Sequence, residues 1–203
     1  GNRISILKSA NKMMQRMGDS PFDFVMNSRM GDGFNSDESI HRTFNGEDFW
    51  FFIQSLRRIY TKSEGLESVF QTGFNKGGSW EALLYFREVF MNAKAHRASK
   101  HIADVGKNSS AKRLNMFLRW MVRKDRRGVD LGIWNTSIDQ SNLSIPLDVH
   151  SGATARKLGL LKRSQNDWSA VEELDFYLRT LDPKDPVKYD YALFGLGESG
   201  KLT

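Results

Sequence analysis

Apolar residues recur along most of this chain at intervals of three and four, the spacing that buries one face of an α-helix, whereas strict alternation of apolar and polar positions is short and rare. The pattern predicts an all-α protein. Ile4, Ile6, Leu7, Ala10, Met13, Met14 and Met17 outline a first amphipathic helix, stopped by Gly18-Asp19-Ser20-Pro21. Residues 30–38, MGDGFNSDE, are polar and contain glycine, so they read as a loop and as the best lobe boundary on the N-terminal side. Asn45 is the expected cap of a helix running through Phe49 to about Tyr60, with Glu47 and Asp48 in its first turn and Phe49, Trp50, Phe52, Ile53, Leu56 and Tyr60 as its apolar stripe. After a break at 73–78, Ser79 can cap residues 80–91, with Ala82, Leu83, Phe86 and Phe90 on one face. Ser169 with Glu172 fits a capping box opening residues 170–181, and Asp182-Pro183 and Asp185-Pro186 both read as helix starts. There is no internal repeat.

One segment departs from a plain amphipathic pattern. Residues 105–127, VGKNSSAKRLNMFLRWMVRKDRR, give a glycine turn followed by a helix whose start is offered by Ser109 or Ser110. Projected at 100° per residue, Leu114, Phe117, Leu118 and Met121 share one side, and Lys112, Asn115, Arg119, Arg123 and Arg126 share the other. A glycine turn entering a helix points free N–H groups and the positive dipole end outward, a phosphate-binding arrangement to which the cations would add. The plain alternative is the solvated face of an amphipathic helix. Farther on, Asp148 stands immediately before a helical pattern of Val149, Ala153, Ala155, Leu158 and Leu160, where an N-cap is the simplest role for it.

Charge sharpens the first of these readings. The 203 residues carry a formal net charge of +6, but from Lys94 to Arg127 there are 11 basic residues against two acidic ones, a local +9 that leaves the rest of the chain at −3. A mildly acidic body with one basic segment suits a polyanionic partner. With 39% hydrophobic residues the chain can bury a core, and a disordered chain is excluded. The absence of cysteine excludes disulfides, thiolate zinc sites and an iron–sulfur cluster, and agrees with a reducing cytoplasmic location. No apolar run approaches the ~20 residues needed to span a bilayer, so no membrane association is expected, and residues 1–10 lack the apolar core of a signal peptide. His41, His96 and His101 show no ligand spacing with carboxylates, so no metal or other cofactor is expected. Asp130 and Asp190 read as helix caps or as carboxylates supporting a site, caps being the commoner role. No phosphate-binding glycine loop or nucleophile elbow occurs in a strand-to-helix context.

Two stretches carry a resemblance. Lys112-Arg-Leu-Asn-Met-Phe-Leu118 parallels the hairpin signature of the helix-hairpin-helix DNA glycosylases related to endonuclease III, and Ile145-Pro-Leu-Asp148-Val-His150 parallels their aspartate segment. The longer insert between the two looks more like the archaeal oxidised-guanine glycosylase branch. KRLNMFLRWMVR, VDLGIW, IPLDVHSGATARKLGL and DPVKYDYALFGLG are similar, over essentially the whole chain, to a bacterial family of uncharacterised activity. That family carries a segment before a motif like A-x-G-N-R, and this chain opens at Gly1-Asn2-Arg3, so part of the first helix is expected to be missing. The turn at 104–110 departs from the usual L-P-G-hydrophobic-G pattern, which implies an altered or displaced hairpin. No cysteine follows Gly195-Leu-Gly197, where endonuclease III relatives approach their cluster.

The resemblance implies a two-lobed helical fold with a central cleft, in which residues 1–40 and 148–203 form a terminal lobe and residues 41–147 a central one. It implies a monomeric, nucleoid-associated protein that excises a damaged base from DNA, with oxidised guanine as a candidate lesion. Lys112 would be the amine nucleophile and Asp148 the carboxylate that takes its proton or stabilises the developing sugar cation. Lys107, Asn108, Ser109, Ser110, Arg113, Arg119, His150 and Lys157 would hold the nucleic-acid backbone. Trp120 and Trp134 are the candidates for stacking a flipped base, although an indole more often belongs to a core. A non-catalytic nucleic-acid-binding protein on the same scaffold, or an RNA-directed role, shares the same electrostatics.

Overall fold

The three-and-four spacing becomes helix along most of the chain in a computed structural model, which describes residues 2–93 and 95–199. The Asn2 side chain accepts the Ile4 and Ser5 N–H groups and starts α1 (Arg3–Met17), which ends at Gly18. Ser20-Pro21, expected only as a stop, also opens a helix: Ser20 caps the Asp23 N–H and Pro21 takes the first position of α2 (Pro21–Asn27). The polar loop follows, then a short antiparallel hairpin, β1 (Ser39–His41) and β2 (Phe44–Asn45). These strands are too short for a period-two signal to register. Asn45 and Asp48 cap α3 (Gly46–Lys62) reciprocally, at the expected place. The remaining helices are α4 (Leu66–Phe74), α5 (Ser79–Met91), α6 (Lys112–Val122), α7 (Val149–Lys157), α8 (Trp168–Leu181) and α9 (Asp190–Ser199), with 3₁₀ turns at 97–101, 105–107, 140–142 and 186–189. The protein is therefore mostly helical, and among the described residues the hairpin is its only sheet.

Two helix starts differ from expectation. Asp167, not Ser169, caps α8 by accepting the Ala170 N–H, while the Asn108 carbonyl and side chain take the Trp168 and Ser169 N–H groups. Asp182-Pro183 opens no helix, because Asp182 instead accepts the Lys184 and Asp185 N–H groups in a turn; Asp185-Pro186 opens the 3₁₀ turn at 186–189.

The chain divides into two compact units, Gly1–Ser68 with Glu88–Ile102 and Val69–Arg87 with Ala103–Thr203. This is not the division expected from the sequence, which joined residues 1–40 to 148–203. The first unit holds its own core, in which Met13, Met17 and Phe24 pack against Val25, Phe34, Ile40, Phe49, Trp50 and Ile53, so α1 is committed there. In the second unit Phe70 stacks on Phe86 with ring centroids 4.7 Å apart, and Phe117 meets Trp134 at 5.5 Å. Leu118, Leu143, Ile145, Leu147, Leu174 and Leu178 complete that core. A Cβ on Gly197 would lie 2.6 Å from Thr154 Oγ1 and 2.8 Å from the His150 carbonyl, so α9 approaches α7 this closely only through glycine. No described helix is long and apolar enough to cross a membrane.

Candidate active site

Residues 143–147 are buried, and the Ile145 N–H donates to Asp175 of α8 at 2.9 Å, which fixes where the segment delivers the next residue, Asp148. Asp148 is the N-cap of α7, as the simplest reading of it held. Its Oδ1 accepts from the Ser151 N–H at 2.8 Å, while its own N–H donates to Ser151 Oγ at 2.9 Å and its carbonyl accepts from Asn166 Nδ2 at 2.9 Å. Capping uses one carboxylate oxygen and leaves the other free. Oδ2 accepts from Lys112 Nζ at 2.9 Å, with the lysine side chain 46% exposed and the aspartate 11%. Partial burial works against ionisation of Asp148, but the Ser151 N–H and the Lys112 ammonium outweigh it and hold the carboxyl below its ordinary value. Both residues belong to the second unit. They were expected on separate lobes; burial of 143–147 keeps Asp148 with α6 instead.

Lys112 is the first residue of α6, and the start of that helix is unusual. Neither Ser109 nor Ser110 caps it. The N-cap is Ala111, in a left-handed conformation at φ 47°, with no side-chain cap; the turn is held by the Ala111 N–H on Ser109 Oγ and by Asn115 Nδ2 on the Ser110 carbonyl. A left-handed alanine costs about 1–2 kcal/mol, strain that sits immediately before the lysine.

The expected stripe of solvated cations on α6 is not observed. Asn115, Arg119 and Arg123 are buried, and Arg126 lies beyond the helix end. Arg119, expected on nucleic acid, is 0% exposed and donates to Asp130 Oδ2 at 3.2 Å and Asp190 Oδ2 at 2.5 Å. Arg123 donates to the same Asp130 oxygen at 2.6 Å and to Asp185 and Asp125. Asp130 and Asp190 are therefore not caps; they are the counter-charges of buried arginines. Burial pushes the Asp190 carboxyl up to about 6 against the pull of Arg119, and the charges of Asp148 and Lys112 also reach it.

The sequence profile of a family described as "Protein of unknown function (DUF2400)" matches residues 1–199. The chain belongs to the DUF2400 family. No curated protein and no solved structure matches it.

In this DUF2400 chain the other expected binding residues are placed as follows. Lys107 and Arg113 are exposed beside Lys112 in the sequence. Asn108 is exposed but its side chain is engaged with Asp167 and Ser169, and Ser109 and Ser110 are half-buried in the turn. His150 is exposed and meets the Phe194 ring at 5.5 Å, and Lys157 is exposed at the end of α7. Trp134 is buried in the aromatic cluster and is not open to a base; Trp120 is 42% exposed. Lys94, part of the basic run, lies outside the described residues, as does Gly1 of the Gly-Asn-Arg opening. Among the described residues no group of three or more His, Asp or Glu is placed to hold a metal. Ser151 and Asn166, which hold Asp148 in place, carry no role in the sequence reading, whereas Asp190 does, as a cap or a supporting carboxylate. The Asp-x-x-Ser spacing of a capping box was the one local signal available for Ser151.

Proposed function

We propose that this protein is a DNA base-excision glycosylase with lyase activity, working through Lys112 and Asp148, with oxidised guanine as a candidate lesion. The observation that carries the reading is the 2.9 Å contact of the exposed Lys112 Nζ with a carboxylate oxygen that capping leaves free. In the proposed reaction a damaged nucleotide is flipped out of the duplex and Lys112 passes a proton to Asp148. The neutral amine bonds to the anomeric carbon as the C–N bond breaks, and the electron pair leaves with the base, which takes the proton held by Asp148 and so restores the carboxylate. Asp148 then accepts the second amine proton and the sugar ring opens, its oxygen taking a proton, to leave a protonated Schiff base on Lys112. The helix-hairpin-helix fold belongs to the same proposal.

Borohydride trapping across a panel of lesion-bearing duplexes tests it. Wild type should give a covalent adduct that Lys112→Ala abolishes and that Asp148→Asn slows by at least about 100-fold, the usual contribution of general acid–base catalysis. An adduct that persists in Lys112→Ala would overturn the role of the lysine. Salt-sensitive DNA binding without any adduct would favour the non-catalytic alternative, in which Asp148 serves only as a cap.

A further inference from the structure

The segment after α6 exposes an unusual pattern. Val129, Leu131 and Ile133 are 44%, 60% and 60% exposed, while the residues between them, Asp130 and Gly132, are buried, and Trp134 follows them into the core. The segment is a loop, closed by an isolated bridge between Lys124 and Leu131, with Gly132 left-handed at φ 61° and a turn beginning at Ile133. Its apolar side chains face out and its aspartate in, and several bonds hold it so. Asp130 is locked inside by Arg119 and Arg123, the Leu131 and Gly132 N–H groups both donate to the Trp120 carbonyl, and the Trp134 N–H donates to the Met121 carbonyl. The buried ion network therefore determines that three apolar side chains face water.

Beside this row stand Lys124, Arg126 and Arg127, all exposed and none within ion-pair distance of a carboxylate among the described residues. Apolar residues alone would not identify a partner, but three unpaired cations at their base complement a polyanion. Apolar side chains flanked by arginine and lysine are what proteins use to wedge open a base step while gripping the adjoining phosphates. We infer that residues 124–133 form a docking wedge for duplex DNA, with Lys124, Arg126 and Arg127 on phosphates and Leu131 and Ile133 pressed against a base step. Trp120, which anchors the segment, lies eight residues along α6 from Lys112, or about 12 Å at the helical rise. The wedge then sits three to four base steps from the nucleotide at Lys112, taking about 3.4 Å per step. The inference rests on the reading that the substrate is DNA, but not on any chemistry at Lys112.

Fluorescence anisotropy on a fluorescein-labelled duplex carrying a tetrahydrofuran abasic analogue tests the wedge in two variants, Lys124→Ser/Arg126→Gln/Arg127→Gln and Val129→Ser/Leu131→Ser/Ile133→Ser. All six side chains are exposed, so both variants should melt like wild type. The charge variant should bind roughly tenfold or more weakly. The apolar variant should abolish the fluorescence rise of a 2-aminopurine placed three to four steps from the analogue, a rise that wild type gives. Wild-type affinity in both variants would overturn the wedge, as would a wild type that binds no DNA. A loop-dependent interaction with phosphatidylglycerol vesicles and none with the duplex would refute the DNA assignment. Loop-dependent binding without borohydride trapping would sink the excision reading and leave the wedge standing. Trapping with unaltered affinity in both loop variants would do the reverse.

Discussion

Asp175 sits in α8 with its carboxylate accepting the Ile145 N–H, and burial pushes it up to about 6 even though Ser144, that N–H and the Arg179 charge all pull it down. Asp190 is raised to about 6 for the same first reason. For both, the folded value lies above the unfolded one, so the stability they confer is complete below about pH 4 and is lost as pH rises through about 6. The carboxyls held low, Asp148, Asp167 and Asp182 among them, act with the opposite sign, and only as pH falls below the ordinary carboxylate range. The window between pH 4 and 6 therefore belongs to the two raised groups. At about 1.4 kcal/mol per unit, Asp175 alone is worth up to about 3 kcal/mol there. Asp175→Asn should flatten the loss of stability between those limits, as measured by urea denaturation at several pH values; an unchanged slope would refute the assignment. Lys112 and Asp148 were legible in the sequence because each lies in a short contiguous pattern. The burial of Asp175 was not, because ELDF reads as an ordinary helix face and the N–H that holds the carboxylate comes from 30 residues away.

At the scale of elements, projection of α6 grouped the right residues together and misjudged which side was wet. Arg119 and Arg123 lie on one side of the helix, but their partners are Asp130, Asp185 and Asp190, which come from beyond the helix and cannot be seen by a periodicity. The cap at Asn45 was readable because cap and box lie within four residues; that of α8 was misplaced by two because Asn108, far off in sequence, occupies the N–H groups that Ser169 would need to leave free. The loop after α6 is shaped by two glycines in left-handed conformations, and they should differ under mutation. A Cβ at Gly128 (φ 76°) meets nothing within 4 Å, whereas one at Gly132 (φ 61°) would lie 2.6 Å from Lys124 Cβ and 2.9 Å from its Cα. Gly128→Ala should cost about 1–2 kcal/mol, the ordinary penalty of a left-handed alanine, and Gly132→Ala distinctly more, because the two arms of the loop must also separate. Thermal melting of the pair checks this, and equal losses would show that the arms are not held at this spacing. Because Gly132 sits within the proposed wedge, Gly132→Ala should also weaken DNA binding while Gly128→Ala leaves it nearly intact.

Over the whole molecule, the +9 segment of the sequence overstates the charge the protein can offer. Arg119 and Arg123 are neutralised in the interior, and Arg97 pairs with the buried Asp48 in the first unit. What remains exposed along the basic run of the second unit is Lys107, Lys112, Arg113, Lys124, Arg126 and Arg127. Each phosphate neutralised on duplex DNA releases counterions and adds about 0.9 to the slope of log affinity against log salt, so these six cap the slope at about −5. The wedge supplies half of them. Titrations of wild type over a range of salt should therefore give a slope no steeper than about −5, and the Lys124→Ser/Arg126→Gln/Arg127→Gln variant one shallower by about 3. A wild-type slope near −10 would require cations from elsewhere in the chain and would refute this face. A slope unchanged in the variant would place the DNA on the Lys107, Lys112 and Arg113 side alone. The buried arginines make the distinction sharp: they should contribute nothing to the slope, because Arg119 and Arg123 are spent holding Asp130 inward and so bear only on which side chains of the loop face out.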